Sequence, residues 1–155
     1  MTGRQRASHR EIANLPLDEA HLADTSAWSK ARNSPEIAPQ FDDSTRRGMV
    51  ATCDLVALEL LRGAQNSERF AKQSRLLGVL RQCEIGAAEL QRARQVQAEL
   101  AAAGHQRGVK PADLLIAAAA EAAGLPVLHY DHDFDLIAGV TGQHARWLAR
   151  PGSLP

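Results

Sequence analysis

Five acids stand where a folded chain could bring them together: Asp24, Glu59, Asp113, Asp131 and Asp133. Asp24 closes the short apolar run His21-Leu22-Ala23, and Asp131 closes Pro126-Val127-Leu128-His129-Tyr130, with Asp133 two residues on. Glu59 interrupts the apolar stretch Leu55 to Leu61, and Asp113 directly precedes Leu114-Leu115-Ile116. A carboxylate in apolar surroundings is costly to bury unless it is paired or bound to a metal. Converging carboxylates repel one another, and a divalent cation removes that repulsion. Oxygen-only ligation suits Mg²⁺ or Mn²⁺ rather than zinc or copper. Such an ion polarises a phosphate, lowers the pKa of a bound water and stabilises a leaving oxygen, so the anticipated chemistry is phosphoryl chemistry. The sequence suggests no Ser–His or Cys–His nucleophile and no Gly-rich phosphate loop.

Each acid also has an ordinary structural reading. Asp24 could cap the helix that follows it. Glu59 could pair with Arg62 on an exposed helix face. Asp113 falls in a first helical turn, where acids are favoured by the helix dipole. Asp131-His132-Asp133 could be an Asx turn. Only the joint placement of the five favours a metal site.

The elements that must position them alternate strand and helix. Strands are expected at His21 to Ala23, Met49 to Cys53, Gln82 to Ile85, Pro126 to Tyr130 and Ala145 to Leu148. Helices are expected from Ala27 to Arg32, from Pro35 to Arg47, after a cap at Asp54, and after a cap at Ser67. Further helices are expected over Ala87 to Ala103, Pro111 to Ala123 with Gly124 as its cap, and Asp133 to Ala138. This alternation predicts a three-layer α/β/α sandwich with a central, mainly parallel sheet, rich in helix. In open parallel sheets, ligands sit beyond the carboxyl ends of the strands, where Asp24, Asp131 and Asp133 fall.

The length of 155 residues allows one domain. Residues 1–20 read as a flexible extension or a short extra helix from Pro16 to Ala20, residues 21–150 as the folded domain, and 151–155 as a tail. With 45% hydrophobic and only 4% aromatic residues, the core must be aliphatic and alanine-rich. Formal net charge is zero from 18 basic and 18 acidic residues, so any attraction of nucleic acid must be local. That speaks against a stoichiometric nucleic-acid coat protein. Cys53 and Cys83 lack metal-ligand spacing and read as free buried thiols in a reducing compartment. No secretory signal or membrane span is apparent, so a soluble, cytoplasmic protein is expected.

Four segments carry a resemblance: Leu22-Ala23-Asp24-Thr25-Ser26, Leu58-Glu59-Leu60-Leu61-Arg62-Gly63, Pro111-Ala112-Asp113-Leu114-Leu115-Ile116-Ala117 and Tyr130-Asp131-His132-Asp133-Phe134. In order, they resemble the signature blocks of PIN-domain nucleases, most closely the VapC-type toxins of bacterial toxin–antitoxin pairs. The resemblance spans about residues 21–150. It implies a Mg²⁺- or Mn²⁺-dependent endoribonuclease cutting single-stranded loops of RNA, often tRNA or ribosomal RNA. It implies Asp24 and Asp113 as principal metal ligands, Glu59 and Asp131 completing the acidic pocket, and Asp133 alongside as the outermost. Ser26 or Thr25 would orient Asp24 or touch a phosphate. It further implies a VapB-like antitoxin and a homodimer. The sequence departs from the family in the roughly twenty residues that precede the first strand.

Arg62 and Lys110 neighbour site acids and could hold RNA phosphates; Arg46, Arg47, Arg92, Arg94 and Arg107 are weaker members of such a rim. His129 and His132 read as structural rather than as ligands, and Trp28 and Trp147 as core or interface anchors. A haloacid-type phosphatase would want an acid where Ser26 stands, and no lysine is placed as a receiver domain needs. A PIN nuclease of RNA processing, or a PIN-like module that binds without cutting, are the competing functions.

Overall fold

The structure, a computed structural model, describes residues 13–105 and 107–155. Five short strands, β1 (His21–Ala23), β2 (Val50–Cys53), β3 (Arg81–Cys83), β4 (Val127–His129) and β5 (Ala145–Trp147), form one sheet in the order β3-β2-β1-β4-β5. Every pairing in it is parallel. The helices are α1 (Thr25–Arg32), α2 (Ala38–Arg46), α3 (Asp54–Arg62), α4 (Ser67–Gly78), α5 (Ala87–Ala102), α6 (Pro111–Ala123) and α7 (Asp133–Thr141). Helices α1 to α4 pack among themselves, as do α5 to α7, and the two groups meet where α3 approaches α6. The architecture is the expected α/β/α sandwich. The first three strands step away from β1 in one direction, and β4 returns to its other side. The carboxyl ends of β1 and β4 therefore border the crevice where strand order reverses, the usual ligand site of open parallel sheets.

Local sequence explains why these elements form. The three inner strands are buried along their whole length, as parallel strands covered on both faces must be. Helix α6 buries Asp113, Leu114, Ile116 and all of Ala117 to Ala120; its alanines let α5 and α7 approach closely. Gly124 ends it at φ 69°, a left-handed cap that favours glycine. Cys53 and Cys83 lie in register on β2 and β3, both buried and unpaired. Among the described residues, no helix is long and apolar enough to cross a membrane.

Several boundaries differ from expectation. Pro39, not Pro35, lies at the start of α2. Asn66, not Ser67, caps α4 by accepting the Arg69 N–H. Asp54 is the first residue of α3 rather than its side-chain cap. The expected helix over Pro16 to Ala20 is absent, and residues from Ala13 onward are packed rather than a loose extension. Ala13 bridges Ala149, and the Asn14 N–H donates to the Leu148 carbonyl at 2.9 Å. Leu15 and Leu17 are buried on either side of exposed Pro16, and the Leu17 N–H donates to Ser44 Oγ. Residues 1–12, the rest of that expected extension, lie outside the described residues. The final residues also dock: Lys30 Nζ donates to the Pro155 carbonyl and the Leu154 N–H to Tyr130 Oη.

Candidate active site

Asp24 follows β1 and is the N-cap of α1, with backbone φ −68° and ψ 160°. Its Oδ2 accepts the Ser26 N–H at 3.0 Å and the Ser26 hydroxyl at 2.6 Å. The same Ser26 Oγ accepts the Tyr130 N–H at 2.9 Å, just past β4. One serine thus ties together the two strand ends that border the crevice. Thr25 donates its hydroxyl to Glu59 Oε2 at 2.6 Å and so holds α3 against the start of α1. Across the crevice, Asp113 occupies the first turn of α6. The Asp133 N–H donates to Asp131 Oδ1 at 2.9 Å, an Asx turn that folds Asp133 back beside Asp131. Lys110 spans the group. Its N–H donates to Asp133 Oδ2 at 3.3 Å, and its ammonium lies 3.2 Å from Asp131 Oδ2 and 3.8 Å from Asp113 Oδ2.

Asp113, Asp131 and Asp133 each offer an oxygen, and these oxygens lie within 4.8 Å of one another. Asp24 and Asp113 are only 3% and 5% exposed, so both carboxylates are withdrawn from water. Burial, followed by a hydrogen bond to Asp133 and the charge of Asp24, pushes the Asp113 carboxyl up to about 8, against a partial offset from Lys110. Burial likewise raises Asp24; its Ser26 and Thr25 donors resist the rise, and the Glu59 charge adds to it. At Asp131, burial would also raise the pKa, but the Asp133 N–H and the Lys110 ammonium outweigh it and hold the carboxyl below its ordinary value. Asp113 Oδ2 is buried without a hydrogen-bond partner. An orphaned carboxylate oxygen facing two further carboxylates is an all-oxygen donor set that suits a hard divalent cation.

Four of the sequence-derived acids therefore share one crevice, Asp24 being close enough for its charge to bear on Asp113. Glu59 is exposed and reaches the group from the rim, through Thr25 and its field at Asp24. The Asx turn brings Asp133 into a tight cluster with Asp113 and Asp131, while Asp24 bears on it through its charge and Glu59 stands at the rim. Glu59 takes Thr25 as its partner rather than Arg62. Ser26 orients Asp24, as one of its two readings had it. Arg92 is committed to Glu121 and Arg47 to Asp43, away from the crevice. Hollows of about 600 and 710 Å³ lie elsewhere, one beside His21 at the amino ends of the strands and one between α1 and α4.

Two supporting contacts escape sequence reasoning. The Tyr130 N–H that anchors Ser26 is a backbone group with no residue signature. His129 is fully buried, its ring against Phe134 and Trp147, and its Nδ1 accepts the Asp131 N–H at 3.3 Å. Burial drives its pKa down to about 4, so the imidazole is neutral and can accept that bond. Trp28 is buried edge-on to Phe41, and Trp147 is half-buried among His129, Tyr130 and His132.

Removal of the Ser26 hydroxyl should be felt on both sides of the crevice. Ser26→Ala leaves the Tyr130 N–H without its acceptor and strips Asp24 of one donor, at a cost of about 1–2 kcal/mol. Urea denaturation of Ser26→Ala and Ser26→Thr checks this; the threonine, which keeps a hydroxyl, should recover most of the loss.

The sheet, its switch-point crevice and the acids that line it have the form of a PIN domain, and the PIN domain model matches residues 22–140. Ribonuclease VapC18 of Mycobacterium tuberculosis (strain ATCC 25618 / H37Rv) is 41% identical over 133 residues, covering 84% of this chain and 96% of that protein. Ribonuclease VapC51 of the same strain is 40% identical over 134 residues, covering 86% and 96%. Among solved structures, the crystal structure of DNA bound VapBC from Salmonella typhimurium superposes with a TM-score of 0.65 at 23% identity, covering 84% of this chain and 98% of that one. The chain belongs to the PIN domain family, among its VapC-type members.

Proposed function

We propose that this protein is a divalent-metal-dependent endoribonuclease, the toxin of a toxin–antitoxin pair. The observation that carries the reading is the triad Asp113, Asp131 and Asp133, which bring oxygens within 4.8 Å of one another, with one Asp113 oxygen buried and without a hydrogen bond. Asp24 completes the ring from β1. Asp24, Asp113, Asp131 and Asp133 would hold Mg²⁺ or Mn²⁺. The bound ion supplies Lewis-acid polarisation of the scissile phosphate and lowers the pKa of an attacking water.

The chain's own residues do the rest. Ser26 fixes Asp24, and His129 and the Asp133 N–H fix the Asp131 turn. Glu59, exposed at the rim and held at Oε2 by Thr25, accepts the proton of the water that attacks phosphorus. The leaving ribose oxygen takes a proton from solvent. Lys110, at the mouth, and Arg62, the last residue of the helix that bears Glu59, contact flanking phosphates. With zero net charge overall, such contacts must be local, which fits recognition of a single-stranded loop by shape and backbone. The relatives named as VapC ribonucleases support RNA as substrate, tRNA or ribosomal RNA being the first candidates. The solved VapBC structures support a VapB-like antitoxin as partner; a homodimer acting in the cytoplasm is part of the same proposal.

The test is cleavage of tRNA and ribosomal RNA by the purified chain. Discrete fragments with Mg²⁺ or Mn²⁺, abolished by EDTA, are expected. Expression should arrest growth, and co-expression of the neighbouring antitoxin gene should relieve the arrest. Intact RNA with either metal across these substrates sinks the reading; cleavage without growth arrest points to RNA processing instead.

A further inference from the structure

The acidic crevice already contains a cation, and it belongs to the chain. Lys110 is the residue just before α6, at the mouth of the site. Its ammonium lies 3.2 Å from one oxygen of Asp131 and 3.8 Å from the Asp113 oxygen that lacks a hydrogen bond. Its backbone N–H holds Asp133, so a single residue touches all three acids of the triad. The side chain is 65% exposed, so little packing fixes its stem. Lysine is a compact point charge on a flexible four-carbon tether, and retraction from an exposed ion pair costs little.

A divalent ion among the same oxygens cannot tolerate the ammonium in place. The carboxylates of Asp131 and Asp113 would be claimed by both, and two cations a few ångströms apart repel strongly in a half-buried site. The backbone contact to Asp133 does not depend on the ammonium and survives its departure. We propose that Lys110 is an exchangeable internal counter-ion: its ammonium neutralises the crevice in the metal-free protein, competes with the divalent cation for Asp131 and Asp113, and swings out to a substrate phosphate when the cation binds. The proposal rests on the metal-dependent reading above and adds a competitor to it.

The consequence is counter-intuitive, because loss of a site residue should improve metal binding. Isothermal titration of EDTA-stripped protein with Mn²⁺ is the test, on wild type, Lys110→Met and Lys110→Arg. Lys110→Met keeps the length of the stem and removes only the charge at an exposed position, and its thermal midpoint checks that it folds. The variant should bind Mn²⁺ about fivefold more tightly than wild type, the size expected of an exposed charge pair. Lys110→Arg, still cationic, should stay near the wild-type affinity. At saturating Mn²⁺, the KM for RNA should rise in Lys110→Met, because the phosphate contact is gone. Wild-type binding of Mn²⁺ with unchanged or weaker binding by Lys110→Met overturns the counter-ion and leaves the nuclease reading standing. Absence of Mn²⁺ binding in all three proteins overturns both.

Discussion

Asp113→Asn should abolish metal-dependent RNA cleavage, by about a thousandfold or more, while making the metal-free protein more stable. The loss follows from the position of Asp113 at the buried centre of the acid cluster. The gain follows from its titration. The Asp113 carboxyl sits at about 8 in the fold against an ordinary value of 3.8. Between those two pH values, the folded chain keeps a proton that the unfolded chain has released. Stability must therefore fall as pH rises through this window, and the full cost is present above the folded pKa. Asparagine cannot ionise, so the advantage of Asp113→Asn should be absent at pH 4 and grow toward pH 8, to of order 2 kcal/mol. Urea denaturation in EDTA across that range reads it directly. Parallel pH profiles for the two proteins would refute it. Mg²⁺ should raise the melting temperature of the wild type far more than that of the variant, since binding to the folded state alone stabilises it.

Substitution of Asp24 separates two roles that one side chain combines. As a cap, it accepts the Ser26 N–H at the head of α1; as an acid, it faces Asp113 across the crevice. Asparagine can serve as a cap but cannot supply a charge. Asp24→Asn and Asp24→Ala should both cut RNA cleavage by about a thousandfold. Their stabilities should differ, the alanine variant falling about 1 kcal/mol below the asparagine variant for want of a cap. Cleavage rates and urea midpoints on the same preparations test both parts. Retention of a tenth or more of the activity by Asp24→Asn would remove Asp24 from the metal-binding set.

Features governed by short-range rules were legible in the sequence. Asp24 and Asp131 could be placed because apolar strands end in them and parallel sheets bind ligands at those ends. Helix α6 was legible from Pro111 and Gly124, which mark its ends by fixed backbone preferences. What escaped depends on local geometry or on distant partners. Asn66 and Ser67 are both good caps, and only the folded backbone chooses between them. The inward position of Asp133 depends on the turn at His132, which residue types alone do not set. Leu15 and Leu17 carry an alternating signal too short to distinguish from a tail, and Ser44, which receives the Leu17 N–H, lies far along the chain. The reach of Lys110 into the triad is a property of a flexible side chain and leaves no mark in spacing.

The serine tie across the crevice also sets an order in time. Ser26 and Tyr130 are 104 residues apart in sequence, and β1 finds its second neighbour only when β4 exists. Pairings of such separation form late, after the long intervening loop has been closed. On a ribosome, the segments bearing Asp24 and Glu59 emerge first, and those bearing Asp131 and Asp133 emerge near the finish. An unfinished copy has no serine tie and no triad, so it has nowhere to seat a cation. Under the proposed function, a nuclease built in this order would be inactive through most of its own synthesis and would become competent almost at a stroke, once its last strands are in place.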